Sequence, residues 1–287
     1  MNIAGFDDSL ARLHAGDAAG ARAGFAAAAA AGDRRAQVVH TNFLAAGFGG
    51  PRDWAGALSG LAAMAEWGAR WGQELAAIGG MALTADGEPL AVPAPEAVSE
   101  RPHVVRFRGL FTAGECAYLR GVATPLLAPS VVIDPRTGAQ RLDPERTSHA
   151  AGFNVLLESP AVHALNRRIA AASGTAAAQG EPLQVLRYGV GGEYRPHLDA
   201  IPGFQNQRVL TMLVWLNDGF EGGETQFPLT GLTLRGEPGD AILFRNTGED
   251  GRQDPLSRHA GLPVARGEKW LASRWIRARP FDYARPR

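Results

Sequence analysis

Two histidines and one aspartate carry the most specific chemistry in the chain. His197 and Asp199 stand in the run Tyr194-Arg195-Pro196-His197-Leu198-Asp199. In an extended strand, side chains at i and i+2 share a face, so these two can point together into a barrel. A third ligand must come from elsewhere, and Ser257-Arg258-His259-Ala260 supplies it much later in the chain. Two imidazoles and one carboxylate occupy one face of an octahedral ion and leave three positions open, which suits a non-haem iron(II) oxygenase. The open positions matter because a co-substrate and O2 must both reach the metal. A His-x-Asp triplet is common by chance, and an exposed pair beside a turn is its plain reading, so the flanking residues must carry the weight.

2-Oxoglutarate would chelate such an iron through its C1 carboxylate and 2-oxo group, and its C5 carboxylate would then need a buried cation. Lys269 opens the apparent strand Lys269-Trp-Leu-Ala-Ser-Arg-Trp275, after the distal histidine, and could reach into the same barrel. A solvent-facing lysine is the plain alternative, and Arg266 and Arg274 are rival cations. Arg195 lies two residues before His197 and should share its face; it could bind a substrate carboxylate or form a surface salt bridge. His163 falls on an expected helix and reads as structural. Gly189-Val-Gly-Gly192 precedes Glu-Tyr-Arg-Pro and not a helix, so it reads as a strand–strand turn, not a dinucleotide fingerprint.

Several longer runs, in order, resemble the prolyl 4-hydroxylase family of 2-oxoglutarate-dependent dioxygenases. They are Leu183–Asp199 (LQVLRYGVGGEYRPHLD), Arg208–Asp218 (RVLTMLVWLND), Glu221–Pro228 (EGGETQFP), Gly239–Phe244 (GDAILF), Ser257–Val264 (SRHAGLPV) and Gly267–Trp270 (GEKW). Upstream, Val132–Gly138 and Arg146-Thr-Ser148 extend the likeness, which covers about residues 103–283. The resemblance implies a double-stranded β-helix, with iron on His197, Asp199 and His259. It implies that Lys269 binds the C5 carboxylate, that Tyr188 and Thr211 hydrogen-bond the co-substrate, and that Trp275 lies near the iron. Substrate would lie across the barrel mouth, under the loop Ala200–Arg208 and a hairpin around Asp134–Arg146. Arg146 and His149 sit at that hairpin and, with Arg195, are candidate substrate contacts. The implied reaction decarboxylates 2-oxoglutarate to succinate and CO2, consumes O2 and hydroxylates a C–H bond, with ascorbate as a reductant. Halogenating relatives lack the carboxylate ligand, so an intact Asp199 points to hydroxylation.

The elements that must position these residues are legible in outline. From Pro182 onward, short strands are expected at Leu183–Tyr188, Val209–Asn217, Thr225–Pro228, Leu232–Leu234, Ala241–Phe244, Ser257–Gly261 and Lys269–Arg277, punctuated by Gly and Pro as in a jelly roll. Helices are expected at Thr112–Thr124, where Thr112 and Glu115 form a capping box, and at Ala161–Ser173. Before residue 90 the composition is different. Residues 17–37 (DAAGARAGFAAAAAAGDRRAQ) align with residues 53–73 (DWAGALSGLAAMAEWGARWGQ) at a constant offset of 36, matching Asp17 with Asp53, Gly20 with Gly56 and Gly24 with Gly60. A period of that size marks stacked helical hairpins, and the pattern resembles Sel-one-like tetratricopeptide repeats; an Ala-rich bundle is the bland alternative. Trp54, Trp67 and Trp71 then read as repeat core or groove. The expected organisation is α+β: a helical repeat domain over 1–88, a Pro-rich linker over 89–102 and an oxygenase domain over 103–287.

Composition excludes little but leans one way. Of the 287 residues, 45% are hydrophobic, so a core can form. Lys+Arg and Asp+Glu both number 29, which gives no electrostatic pull toward nucleic acid or membrane. A single cysteine, Cys116, rules out an intramolecular disulfide and a multi-cysteine metal site. No basic region followed by an apolar run opens the chain, so a cytoplasmic protein is expected. The C-terminal arginines Arg274, Arg277, Arg279, Arg285 and Arg287 read as a solvated edge. The expected partner is a peptide or protein carrying a prolyl or other amino-acid residue, because helical repeats commonly hold extended chains. A free amino acid or small natural product is the alternative substrate, and a repeat scaffold with a degenerate oxygenase domain is the alternative of another class.

Overall fold

The computed structural model of the chain describes residues 5–133, 140–142 and 145–282. Asp134 and the tip of the expected hairpin, together with Arg285 and Arg287, lie outside the described residues. The chain forms two compact units: residues 1–92 with 153–171 and 282–287, and residues 93–152 with 172–281. No helix among the described residues is long and apolar enough to cross a membrane.

The first unit is helical: α1 (Phe6–His14), α2 (Ala18–Ala30), α3 (Arg34–Ala46), α4 (Trp54–Met64) and α5 (Ala69–Gly79), each packed on the next. The repeated Asp-x-x-Gly has a local cause. Asp17 Oδ1 accepts the Gly20 amide at 2.8 Å and Asp53 Oδ1 accepts the Gly56 amide at 2.8 Å, so the same N-cap starts α2 and α4. A Cβ at Gly20 or Gly56 would lie 2.0 or 2.3 Å from its own capping carboxylate. The next matched pair marks where helices meet. A Cβ on Gly24 would fall 2.4 Å from Ser9 Oγ on α1, and one on Gly60 would fall 2.6 Å from Thr41 Oγ1 on α3. Phe25 and Phe43 are fully buried and meet edge to face at 5.6 Å, with Phe48 beyond at 4.9 Å. Trp54 and Trp71 are buried, whereas Trp67 is half-buried and edge-on to Trp71.

The second unit holds α6 (Ala113–Ala123) and most of the strands. A further helix, α7 (Pro160–Ser173), groups with the first unit over nearly its whole length, and its His163 pairs with Glu158 at 2.7 Å. The capping box of α6 is present, with Thr112 and Glu115 exchanging hydrogen bonds of 3.2 and 2.7 Å. An eight-stranded antiparallel sheet runs, in spatial order, Glu96–Ser99, Val104–Phe107, Ala241–Arg245, Arg208–Trp215, Lys269–Arg277, Leu183–Tyr188, His149–Phe153 and Ala128–Pro129. Its first strand comes from the stretch expected to be a linker. A four-stranded sheet runs Leu232–Leu234, Thr225–Phe227, His259–Gly261, Tyr194–His197. Both contribute to one apolar cluster: Leu186, Leu213, Trp215, Ile242, Phe244 and Leu271 from the larger sheet, Phe227 and Leu234 from the smaller. The alternation 213/215 and 242/244 is the period-two signature of strands with one face inward.

Two of the C-terminal arginines do not form the solvated edge expected of them. Arg274 and Arg277 are 2% and 3% exposed. Arg274 donates to the carbonyls of Glu181 and Ala177. Arg277 donates to the buried Glu181 carboxylate at 2.6 Å, and Arg208 grips the same carboxylate at 2.6 and 2.8 Å. An arginine is buried only with its donors paired, and one glutamate before the strand Leu183–Tyr188 meets that need for both.

Two stabilities follow. Phe43→Ala should cost about 3–5 kcal/mol in urea unfolding of the full chain; a loss below about 1 kcal/mol would mean the Phe25–Phe43 core is not tightly packed. Glu181→Gln leaves buried guanidinium charge unpaired and should cost about 3–5 kcal/mol; a neutral effect would show that solvent already satisfies Arg208 and Arg277.

Candidate metal and co-substrate site

His197 ends the strand Tyr194–His197, and antiparallel pairing sets His259 directly across from it. Sheet register thus joins two ligands far apart in sequence. Asp199 gets there differently from the expected strand alternation: it lies in a bend just beyond the strand. The pairing also slips here, since Tyr194 and His197 oppose Gly261 and His259 across a register shift. Four residues on one strand, 194–197, therefore face three on the other, 259–261. Such irregularities re-aim side chains beside active sites, and this one turns both Tyr194 and His197 to the cavity. Their rings stack at 3.5 Å.

One ligand atom each from His197, Asp199 and His259 fits within a cluster whose members all lie within 4.8 Å of one another. Backbone carbonyls set both imidazoles. His197 Nδ1 donates to the Arg195 carbonyl at 2.8 Å, and His259 Nδ1 donates to the Ser257 carbonyl at 3.0 Å. Each Nε2 is left with its lone pair toward Asp199, at 3.5 and 3.6 Å from the carboxylate oxygens. Burial pushes the Asp199 carboxyl up, but His259, His197 and the Thr211 hydroxyl outweigh it and hold the group well below the usual carboxylate range. Burial, with help from His197 and Lys269 and against Asp199, pushes His259 down to about 4. At neutral pH the aspartate is charged and His259 neutral, which is the protonation state a metal requires.

These ligands line a cleft of about 420 Å³, counting space open to solvent, together with Lys269, Tyr188, Trp275, Arg146 and Thr225. Lys269, Leu271, Ser273 and Trp275 all face it, every second residue of the strand Lys269–Arg277. Lys269 is 3% exposed and has no hydrogen bond or ion pair among the described residues. Its ammonium lies 5.5 Å from the Tyr188 ring, its partner across the strands. Burial pushes its pKa down to about 8, against the pull of Glu224. The rival cations are committed elsewhere: Arg266 pairs with Glu221 on the surface, and Arg274 holds backbone carbonyls. The Trp275 indole N–H is buried without a partner, and Arg208 lies 3.8 Å over its ring.

Three expected contacts lie elsewhere. Arg195 does not share the His197 face; its side chain is 58% exposed and pairs with Glu193, because the register shift breaks the alternation. His149 is exposed on its strand and does not line the cleft. Thr211 faces inward but stops short of the cleft. Its hydroxyl donates to Asp199 Oδ2 at 2.6 Å, so its one proton is engaged by that carboxylate. The threonine that does line the cleft is Thr225, 2% exposed, which sequence reasoning passed over. Its signal was its place at the end of Glu221-Gly-Gly-Glu-Thr225, where paired glycines bring backbone close: a Cβ on Gly223 would lie 3.2 Å from Lys269 Cδ.

The donor set fits iron(II): two imidazoles and one carboxylate clustered together, and a buried lysine on the same cleft with no ion pair among the described residues. Comparison with known sequences agrees. Residues 183–277 match the 2OG-Fe(II) oxygenase superfamily. Prolyl 4-hydroxylase 1 of Arabidopsis thaliana is 39% identical over 202 residues, covering 64% of this chain and 71% of that protein. Prolyl 4-hydroxylase subunit alpha-1 of Rattus norvegicus is 32% identical over 196 residues, but the match spans only 36% of its length and 65% of this chain. Among solved structures, the 2OG complex of a viral collagen prolyl hydroxylase from Paramecium Bursaria Chlorella virus-1 aligns at 27% identity and a TM-score of 0.48, over 61% of this chain and 96% of that one. The chain belongs to the prolyl 4-hydroxylase family and is a 2-oxoglutarate-dependent dioxygenase that uses iron(II) and O2.

Proposed function

We propose that His197, Asp199 and His259 hold the iron, that Lys269 binds the C5 carboxylate of 2-oxoglutarate, and that the enzyme hydroxylates a prolyl or similar residue in a peptide or protein. One observation carries the assignment. A buried ammonium without a counter-ion faces the same cleft as a three-ligand metal set, and a buried charge of that kind calls for an anionic ligand. Iron(II) with 2-oxoglutarate and O2 supplies the oxidation that turns C–H into C–OH while the co-substrate becomes succinate and CO2. The chain's own residues do the rest. Tyr188 and Thr225 offer hydroxyls beside Lys269 for the same carboxylate. Leu186, Leu213 and Leu271 add apolar wall to the cleft, which strengthens a charge pair within it.

At the substrate end, Arg146 is 9% exposed, lies 5.1 Å over the Tyr194 ring, and has an unpartnered Nε. It is suited to a peptide carbonyl. The names of the relatives, prolyl 4-hydroxylases of plant and animal origin, favour a prolyl substrate. We read the two sheets as the double-stranded β-helix and residues 1–88 as Sel-one-like repeats that hold an extended chain, joined through 89–102 to the oxygenase domain, 103–287. The matched Asp caps at the 36-residue offset support the repeat reading.

His197→Ala and Asp199→Ala should each abolish succinate formation, and full turnover in either would sink the triad. Lys269→Ala should raise the 2-oxoglutarate concentration for half-saturation by about 100-fold, since it removes one partner of a buried charge pair; an unchanged requirement would exclude Lys269. The wild-type affinity should also depend on pH. The ammonium is charged below its pKa of about 8, so 2-oxoglutarate binding to the Mn(II)-loaded protein should be flat below pH 7. Above pH 8 it should weaken about tenfold per unit, and constant binding to pH 10 would contradict the pairing. Proline-containing peptides should stimulate succinate release and gain one oxygen on proline by mass spectrometry. Stimulation by free amino acids alone would reject the peptide reading.

A further inference from the structure

Behind Asp199 a buried hydrogen-bond chain has a single direction. Asn246 Nδ2 donates to Thr211 Oγ1 at 2.9 Å, and Thr211 Oγ1 donates to Asp199 Oδ2 at 2.6 Å. Asn246, Thr211 and Asp199 are 0%, 1% and 4% exposed. A hydroxyl has one proton. An ionised Asp199 can only accept, so that proton goes to Asp199, and Asn246 must present its NH2 to the threonine oxygen. The opposite amide orientation would leave Thr211 with two acceptors and one proton.

Satisfying that chain leaves the Asn246 side-chain carbonyl buried with no partner. Unpaired buried acceptors are rare, so the orientation that leaves this one bare is set by the need of Thr211 and Asp199 for a donor. The backbone around Asn246 is tightly fixed: its amide donates to the Val209 carbonyl at 2.9 Å, and its carbonyl accepts the Asp254 amide at 3.0 Å. From the same loop, Gln253 donates to the carbonyl of Ala200, the residue after Asp199. The loop 246–254 therefore braces Asp199 twice, once through its neighbour's backbone and once through Thr211.

We propose that Asn246 is a positioning residue for the metal: acting through Thr211, it occupies Asp199 Oδ2 and leaves Oδ1 as the single oxygen offered to the ion. This rests on the reading of Asp199 as a ligand. Without the amide, the Thr211 hydroxyl is free to rotate away, the carboxylate can turn, and the facial geometry loosens.

Cobalt(II) binding to the full chain, followed by its visible absorption without O2 or 2-oxoglutarate, tests this apart from turnover. Asn246→Leu keeps the size and removes the donor, and Thr211→Val removes the hydroxyl. Each should weaken Co(II) about 10–100-fold, the usual effect of losing a group that orients a ligand. Thr211→Ser should bind within about threefold of wild type, and the double variant Thr211→Val/Asn246→Leu should be no weaker than Thr211→Val, because one acts through the other. If Asn246→Leu does not fold by urea titration, Asn246→Ser, too short to reach Thr211, is read the same way. Wild-type affinity in the Asn246 variants, or losses that multiply in the double variant, would overturn the inference while His259→Ala still abolished binding. Equal binding by wild type and His259→Ala, or no binding by wild type, would overturn it together with the metal assignment.

Discussion

The Asp199 carboxylate is almost wholly out of water, and the groups nearest it are two histidine Nε2 atoms and one threonine hydroxyl. Removing a carboxylate from water costs several kcal/mol unless something of opposite charge answers it. With each Nδ1 bound to a backbone carbonyl, both Nε2 atoms face the carboxylate at 3.5 and 3.6 Å, beyond hydrogen-bond length. Three donors held together out of solvent could hold a cation, which is the reading proposed for them. The Ser257 and Arg195 carbonyls are what prevent the histidines from relieving the strain, because each fixes Nδ1 as the protonated nitrogen. Lys269 is the same problem with the sign reversed: a buried ammonium with no ion pair among the described residues, on which Glu224 acts only from a distance. The two unanswered charges share one cleft, and a metal ion chelated by a dicarboxylic acid answers both.

The fold's task is to hold these groups in place, and it does so mainly through strand register. One strand, Lys269–Arg277, presents Lys269 and Trp275 to the cleft at its two ends and lies between Leu183–Tyr188 and Arg208–Trp215. Its pairing sets Tyr188 beside Lys269 and Thr211 beside Trp275. A one-residue slip would turn every one of these side chains to the other face. The Glu181 carboxylate, gripped by Arg208 and Arg277, ties those neighbouring strands together and seats the Arg208 guanidinium over the Trp275 ring.

Much of this was legible in the sequence. The strands Leu183–Tyr188, Leu232–Leu234 and Lys269–Arg277 fall where the short runs punctuated by Gly and Pro placed them, and Thr112 caps its helix as its spacing with Glu115 implied. Local pattern dictates those features. What pattern misjudged was non-local. Arg195 leaves the His197 face because of a register shift that only the partner strand determines. Arg277 looked like a solvated cation because its carboxylate partner, Glu181, is remote in the chain. Thr211 and Thr225 are both inward threonines on strands; which of them meets the cleft and which meets Asp199 depends on how the two sheets are spaced, and no period in the sequence encodes that.

The central claim is that the metal ligands and Lys269 form a single site for one bidentate, doubly charged co-substrate. It is tested most directly by calorimetric titration of 2-oxoglutarate, without O2, into the full chain with and without Mn(II). The account predicts one equivalent bound tightly with the metal and little or no binding without it. Binding of equal strength in both conditions, or none in either, would contradict it.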